Sequence, residues 1–202
     1  MRALLSGLAV LLVASWAGAA DDKKDEKKLD LFPLGKGTKW EYEVSVMGQT
    51  KDVVQEVTKV TPGKKDGDRA IATVSSKIDE QTITEEMSAD DKAVYRHAFQ
   101  GMALDNPLTI LKYPYKAGSK WKETIKIAKE EAEANFETFK TEEVKVASGK
   151  YTAHVVVMEM ETMGQKVTSK NWYADGVGIV KQEVDFGGIK ITMELKKFTK
   201  GK

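Results

Sequence analysis

From Lys39 onward, apolar and polar residues alternate with a period of two, and glycine-bearing turns break the alternation at short intervals. Trp40, Tyr42, Val44 and Val46 fall on one face, with Glu41, Glu43 and Ser45 on the other. Successive side chains of a strand point to opposite sides, so this is the pattern of a half-buried β-strand. The same alternation closes the chain, with Ile189, Ile191, Met193 and Leu195 set against Lys190, Thr192, Glu194 and Lys196. Pro62-Gly63, Asp175-Gly176 and Gly187-Gly188 lie between runs, where glycine supplies the positive φ that tight turns need. Turn spacing predicts about ten or eleven strands in an antiparallel meander. The expected fold is all-β, and a sheet that long must curl into an open or nearly closed barrel, at the least a half-barrel.

Two segments depart from the alternation. Gly101 to Tyr115 holds Asp105-Asn106-Pro107 and Tyr113-Pro114. Proline restricts itself and the residue before it, so an irregular crossover is expected, with a short helical turn over Leu108 to Leu111. Lys129 to Ala134 is the one stretch with helical propensity. A hairpin fits the strand-like residues that follow it, and a short helix is the alternative.

The ends carry other information. Met1-Arg2, an apolar run from Ala3 to Ala14 and the small residues Ala17 to Ala20 read as a secretory signal peptide over 1–20, cleaved after Ala20 or Ala19. Residues 21–30 read as a charged tail, and 31–198 as one β domain. Removal of the leader leaves no transmembrane segment, and the expected destination is periplasmic or extracellular. There are 32 Lys+Arg, 31 Asp+Glu and no Cys. The missing cysteine excludes a disulfide framework, a cysteine nucleophile and a thiolate zinc site. Near-neutral charge argues against a nucleic-acid partner, because phosphate binding needs a basic field.

A repeat is visible. Phe32-Pro33-Leu34-Gly35-Lys36-Gly37-Thr38-Lys39-Trp40 and Tyr113-Pro114-Tyr115-Lys116-Ala117-Gly118-Ser119-Lys120-Trp121 share aromatic-Pro, Gly-(Thr/Ser)-Lys-Trp, and lie 81 positions apart. The chain is expected to divide into related halves, 31–105 and 112–198, with chance recurrence of a Pro-Gly-Trp strand entry as the alternative.

No pattern of chemical residues stands out. His97 and His154 have no spacing that demands convergence on a metal, and Asp66-Gly67-Asp68 lacks the later ligands of a calcium loop. Nucleophile elbows, nucleotide-binding glycine loops and His-Glu-x-x-His are missing, so neither catalysis nor a cofactor is expected. The apolar pattern says more. From Tyr151 to Met160 both strand faces are apolar, so both must be covered. Methionine adapts to irregular apolar shapes. Trp40, Trp121, Trp172, Tyr173, Met158 and Met160 are the candidate ligand-binding residues of a cupped sheet.

Three stretches carry a resemblance: Phe32-Pro33-Leu34 through Trp40-Glu41-Tyr42, Val146-Ala147-Ser148-Gly149-Lys150-Tyr151-Thr152-Ala153, and Trp172-Tyr173-Ala174-Asp175-Gly176-Val177-Gly178-Ile179-Val180-Lys181. They resemble a family of uncharacterised secreted bacterial proteins. The resemblance implies an extracytoplasmic curved antiparallel sheet and no known activity. Such sheets are similar to the half-barrels of lipoprotein carriers, an analogy of fold alone. The expected function is that of a non-catalytic exported protein binding an apolar, lipid-like or amphipathic ligand in the cup. The alternative is a structural or interaction module with an envelope protein partner, and a third reading is a hydrolase with an acid pair. An internal apolar cavity would favour the binder, and a filled interior the module.

Overall fold

The computed structural model describes residues 28–65, 67–127, 130–162 and 164–202, so the leader and most of the charged tail lie outside the described residues. Among the described residues the alternation resolves into twelve strands: β1 (Lys39–Val46), β2 (Gln49–Thr61), β3 (Ile71–Ile78), β4 (Gln81–Ala89), β5 (Ala93–Phe99), β6 (Met102–Lys112), β7 (Lys120–Ile127), β8 (Glu130–Val146), β9 (Gly149–Thr162), β10 (Gln165–Ala174), β11 (Gly178–Phe186) and β12 (Ile189–Thr199). Each pairs antiparallel with its neighbour in sequence, except β6 with β7. The first strand pairs with the last, Trp40 opposite Phe198. The sheet order therefore runs β6-β5-β4-β3-β2-β1-β12-β11-β10-β9-β8-β7. This is a nearly closed barrel with one unsealed seam, between β6 and β7.

Two sequence expectations are corrected here. Residues 102–112 are neither a crossover nor a helical turn but the edge strand β6. Prolines sit on edge strands because they cannot donate to a ladder, and Pro107 occupies such an edge beside an irregularity between Arg96 and Ala98 in the β5–β6 register. The helical alternative at 129–134 also gives way. Glu130 to Val146 is one long strand, and its apolar Ala134 and Phe136 are buried by the pairing of β8 with β7 and β9. Tertiary pairing overrides the weak helical propensity of a short charged stretch.

The repeat has a backbone counterpart. Thr38 N–H donates to Gly35 C=O, Gly37 N–H to Val57 C=O and Val57 N–H to Thr38 C=O. The same three bonds recur at the same offset: Ser119 to Lys116, Gly118 to Thr138 and Thr138 to Ser119. Gly37 and Gly118 have φ of 82° and 83°. A Cβ at either position would meet nothing within 4 Å, so the cost of substitution is conformational alone. Gly37→Ala and Gly118→Ala should each lose about 1–2 kcal/mol. Urea denaturation checks this, and the two losses should match.

In a meander every odd-to-even turn lies at one end of the barrel. Met47-Gly48, Asp79-Glu80, Gln100-Gly101 and Gly187-Gly188 are such turns. The opposite end is plugged by the segment before β1. Leu31 is fully buried there, and Phe32 packs on Trp40 and Tyr173 with ring centroids 6.0 and 6.4 Å apart. The outer face carries cross-strand ion pairs, among them Lys122–Glu133 (2.8 Å), Lys126–Glu131 (2.8 Å) and Lys166–Glu159 (2.9 Å). A barrel that spans a bilayer presents an apolar band outward, whereas this one is charged outside and apolar within. No helix among the described residues is long and apolar enough to cross a membrane.

Candidate ligand-binding site

The barrel is not filled. A cavity of about 670 Å³ occupies its interior, within the range of small-molecule sites. Strand alternation builds its walls. Val156, Met158 and Met160 point into it from β9, Ser169, Asn171 and Tyr173 from β10, and Gln182, Val184 and Phe186 from β11. The cavity runs from Phe32 and Tyr173 beneath the plug to Gln100, Thr162 and Phe186 at the hairpin tips. Around that open end stand exposed apolar side chains: Met47 is 83% exposed, Met102 47%, Ile189 44% and Phe186 37%.

Polar groups are few and grouped. Gln182 Nε2 donates to Asn171 Oδ1 (2.6 Å), and Asn171 Nδ2 donates to Ser169 Oγ (3.1 Å). Arg96 Nε lies 2.9 Å from Glu85 Oε2 in an ion pair, although its buried N–H is not aligned on that oxygen. Tyr173 is 3% exposed, and its hydroxyl has no hydrogen-bond partner among the described residues. Burial pushes the Tyr173 hydroxyl above the ordinary tyrosine range, Glu85 adds to the rise, and Arg96 opposes it. The group therefore stays neutral, free to donate or accept.

Of the six candidates from sequence, Met158, Met160 and Tyr173 line this cavity, and the three tryptophans do not. Trp40 belongs to the plug: its indole N–H donates to Val177 C=O at 2.5 Å, and Phe198 packs against it. Trp121 holds the seam. Its indole N–H donates from β7 to Thr109 C=O on β6 (3.0 Å), its ring stacks on Phe136 at 5.0 Å, and Lys112 Nζ sits 5.4 Å from the ring centre. Trp172 lies on the face opposite Asn171 and Tyr173, bonded to Glu142 Oε2 (2.7 Å) under Lys170 and Lys181. Alternation separates Trp172 from Tyr173, and sequence alone could not say which of the two faces inward. Both faces of β9 are buried because the far end of the β8–β9 hairpin folds over the outside of the barrel. Ser148 N–H reaches Leu195 C=O on β12 (3.1 Å). That carbonyl lies at the irregularity between Glu41 and Tyr42 in the β1–β12 register.

Tyr115 stabilises the interruption in the β8–β9 ladder between Phe139 and Glu142. Its hydroxyl accepts from Val155 N–H (2.9 Å) and shares its hydrogen between the carbonyls of Phe139 (2.6 Å) and Val155 (2.7 Å). The residues that sequence reasoning missed are Glu85, Arg96, Asn171 and Gln182. Each is a polar residue at an inward strand position, and for Glu85, Arg96 and Gln182 the residues two positions away, such as Ile83, Val94 and Val184, are apolar, which was the available signal.

The histidines are far from one another in role. His97 Nε2 pairs with Ser88 Oγ at 2.7 Å, and His154 stands edge-on to Tyr115 at 4.5 Å. The described residues contain no cluster of three or more metal-ligating side chains. Burial lowers both imidazoles below the ordinary 6.5. The unfolded chain then takes up these protons first, so stability is complete above that value and falls as pH drops through it towards the folded pKa values. The urea midpoint should be lower at about pH 5 than at about pH 7.5, and His97→Gln with His154→Gln should reduce that difference.

No family model matches the sequence, and no curated protein matches it. Solved structures do. A predicted lipoprotein from Parabacteroides distasonis superposes with a TM-score of 0.56 at 15% identity, over 85% of this chain and 99% of that one. A predicted exported protein with a YmcC-like fold from Bacteroides fragilis gives 0.55 at 17% identity, over 85% of this chain and all of the other. At that identity the likeness speaks for architecture alone, and on architecture it is clear: this chain has the YmcC-like barrel fold.

Proposed function

We propose that this is an exported, non-catalytic binding protein whose barrel holds an apolar or amphipathic ligand. The observation that carries the reading is the 670 Å³ interior cavity, walled mainly by apolar side chains and reached from the hairpin-tip end. A filled core would have used the same strands without leaving space, since protein interiors pack to the density of organic crystals. The exposed apolar rim gives an oily ligand a route between its donor and the cavity. Export rests on the leader-like residues 1–20, and the names of the two similar structures agree with it.

The test is titration of the mature protein with N-phenylnaphthylamine, a neutral apolar dye that fluoresces when it leaves water. Saturable binding at one site, with native mass spectrometry showing a single adduct, is expected. A dye response no greater than that of a filled β-barrel control would overturn the reading.

A further inference from the structure

The charges inside the cavity say which polar end a ligand can carry. Among the described residues, Glu85 and Arg96 are the only lining side chains with a formal charge, and they pair with each other at 2.9 Å. No lining cation is left over to meet an anionic head, and no lining carboxylate to meet a cationic one. An unpaired charge brought into this apolar space would lose its hydration without gaining a counter-ion. Neutral hydrogen-bonding groups are available instead. Among the described residues the Tyr173 hydroxyl is unpartnered, and the Ser169–Asn171–Gln182 chain keeps a hydroxyl hydrogen and an amide oxygen that no group engages.

Along β10 the lining residues change from Tyr173 and Asn171 near the plug to Val167 near the tips. Along β11 they change from Gln182 to Val184 and Phe186. Polar and apolar lining residues occur at both ends, with Gln100 and Thr162 at the tips and Phe32 and Met87 toward the plug. Resting on the binding function proposed above, we infer that the cavity takes a single-chain amphipath with an uncharged polar end, a hydroxyl, ester or amide. Its polar end meets Tyr173, Asn171 and Gln182, and its hydrocarbon chain lies against the apolar walls, Met158, Met160 and Val184 among them.

The experiment is competition against bound N-phenylnaphthylamine by three ligands sharing one twelve-carbon chain: monolauroylglycerol, laurate and dodecylamine. At about pH 8, where laurate and dodecylamine are ionised, monolauroylglycerol should compete at least about tenfold better than either. Glu85→Gln leaves Arg96 without its counter-charge and should move the preference to laurate. Arg96→Met leaves Glu85 alone and should move it to dodecylamine. The two variants fail independently, so either one suffices. Equal or better competition by laurate in the unmodified protein overturns the inference, as does an unchanged order in a folded variant. Absence of dye binding in the unmodified protein overturns the binding reading itself, a separate outcome.

Discussion

Trp40→Ala should cost about 3–5 kcal/mol, the range for deleting a large buried aromatic side chain. Trp40 is 2% exposed and touches three parts of the chain that are distant in sequence. Phe32 lies on it from the plug, Phe198 from β12, and Val177 accepts its indole N–H. Removing the ring leaves a cavity and deprives the half-buried Val177 carbonyl of its donor, so the transfer and hydrogen-bond losses add. Most domains are stable by only 5–15 kcal/mol, so the variant should lie close to its unfolding threshold. Urea denaturation followed by tryptophan-independent far-UV dichroism measures the loss. A change below about 1 kcal/mol would mean that the plug is not part of the cooperative core. Gly178→Ala probes the same joint from the other side. Gly178 has φ of 98°, and a Cβ there would come within 3.2 Å of the Trp40 indole nitrogen.

Met158→Trp should abolish the binding proposed for the cavity while leaving the fold intact. Met158 points inward from β9 opposite Ser169, beside Phe136 on β8. A larger ring there has open space to enter, unlike an insertion into a packed core, which costs about 1–3 kcal/mol. Affinity for N-phenylnaphthylamine should fall at least about tenfold, because the added ring occupies volume the ligand requires. The melting temperature should stay level or rise. Unaltered dye affinity in a folded variant would place binding outside the barrel.

The stretches around Trp40 and Gly176 meet in space, and their meeting explains their composition. Gly176 N–H donates to Asp30 C=O (2.8 Å), Trp40 to Val177, and Tyr42 Oη to Ile179 C=O (2.9 Å). Phe32-Pro33 to Tyr42 and Trp172 to Gly178 are therefore a closure device for one end of the barrel. They keep the cavity blind at that end, and none of their aromatic residues except Phe32 and Tyr173 reaches it. Aromatic residues in an exported β-protein invite assignment to a ligand cup, yet here the tryptophans close the plug, the seam and the outer hairpin.

The class of fold was legible in the chain because alternation is a local property: each residue's face is set by its neighbours two positions away. The turns were legible for the same reason, since positive φ is a requirement of one or two residues. The repeat around Trp40 and Trp121 was visible because its backbone geometry depends on Gly37 and Gly118. Tertiary structure alone decided the rest. Whether Asp105 to Lys112 became a crossover or an edge strand depended on β5 being beside it, and whether Trp172 or Tyr173 faced the cavity depended on closure of the sheet. The Glu85–Arg96 pair joins two strands at positions where a charge normally signals solvent. Only the curling of the sheet into a barrel made that face an interior, because burial is a property of the whole surface and not of any segment within it.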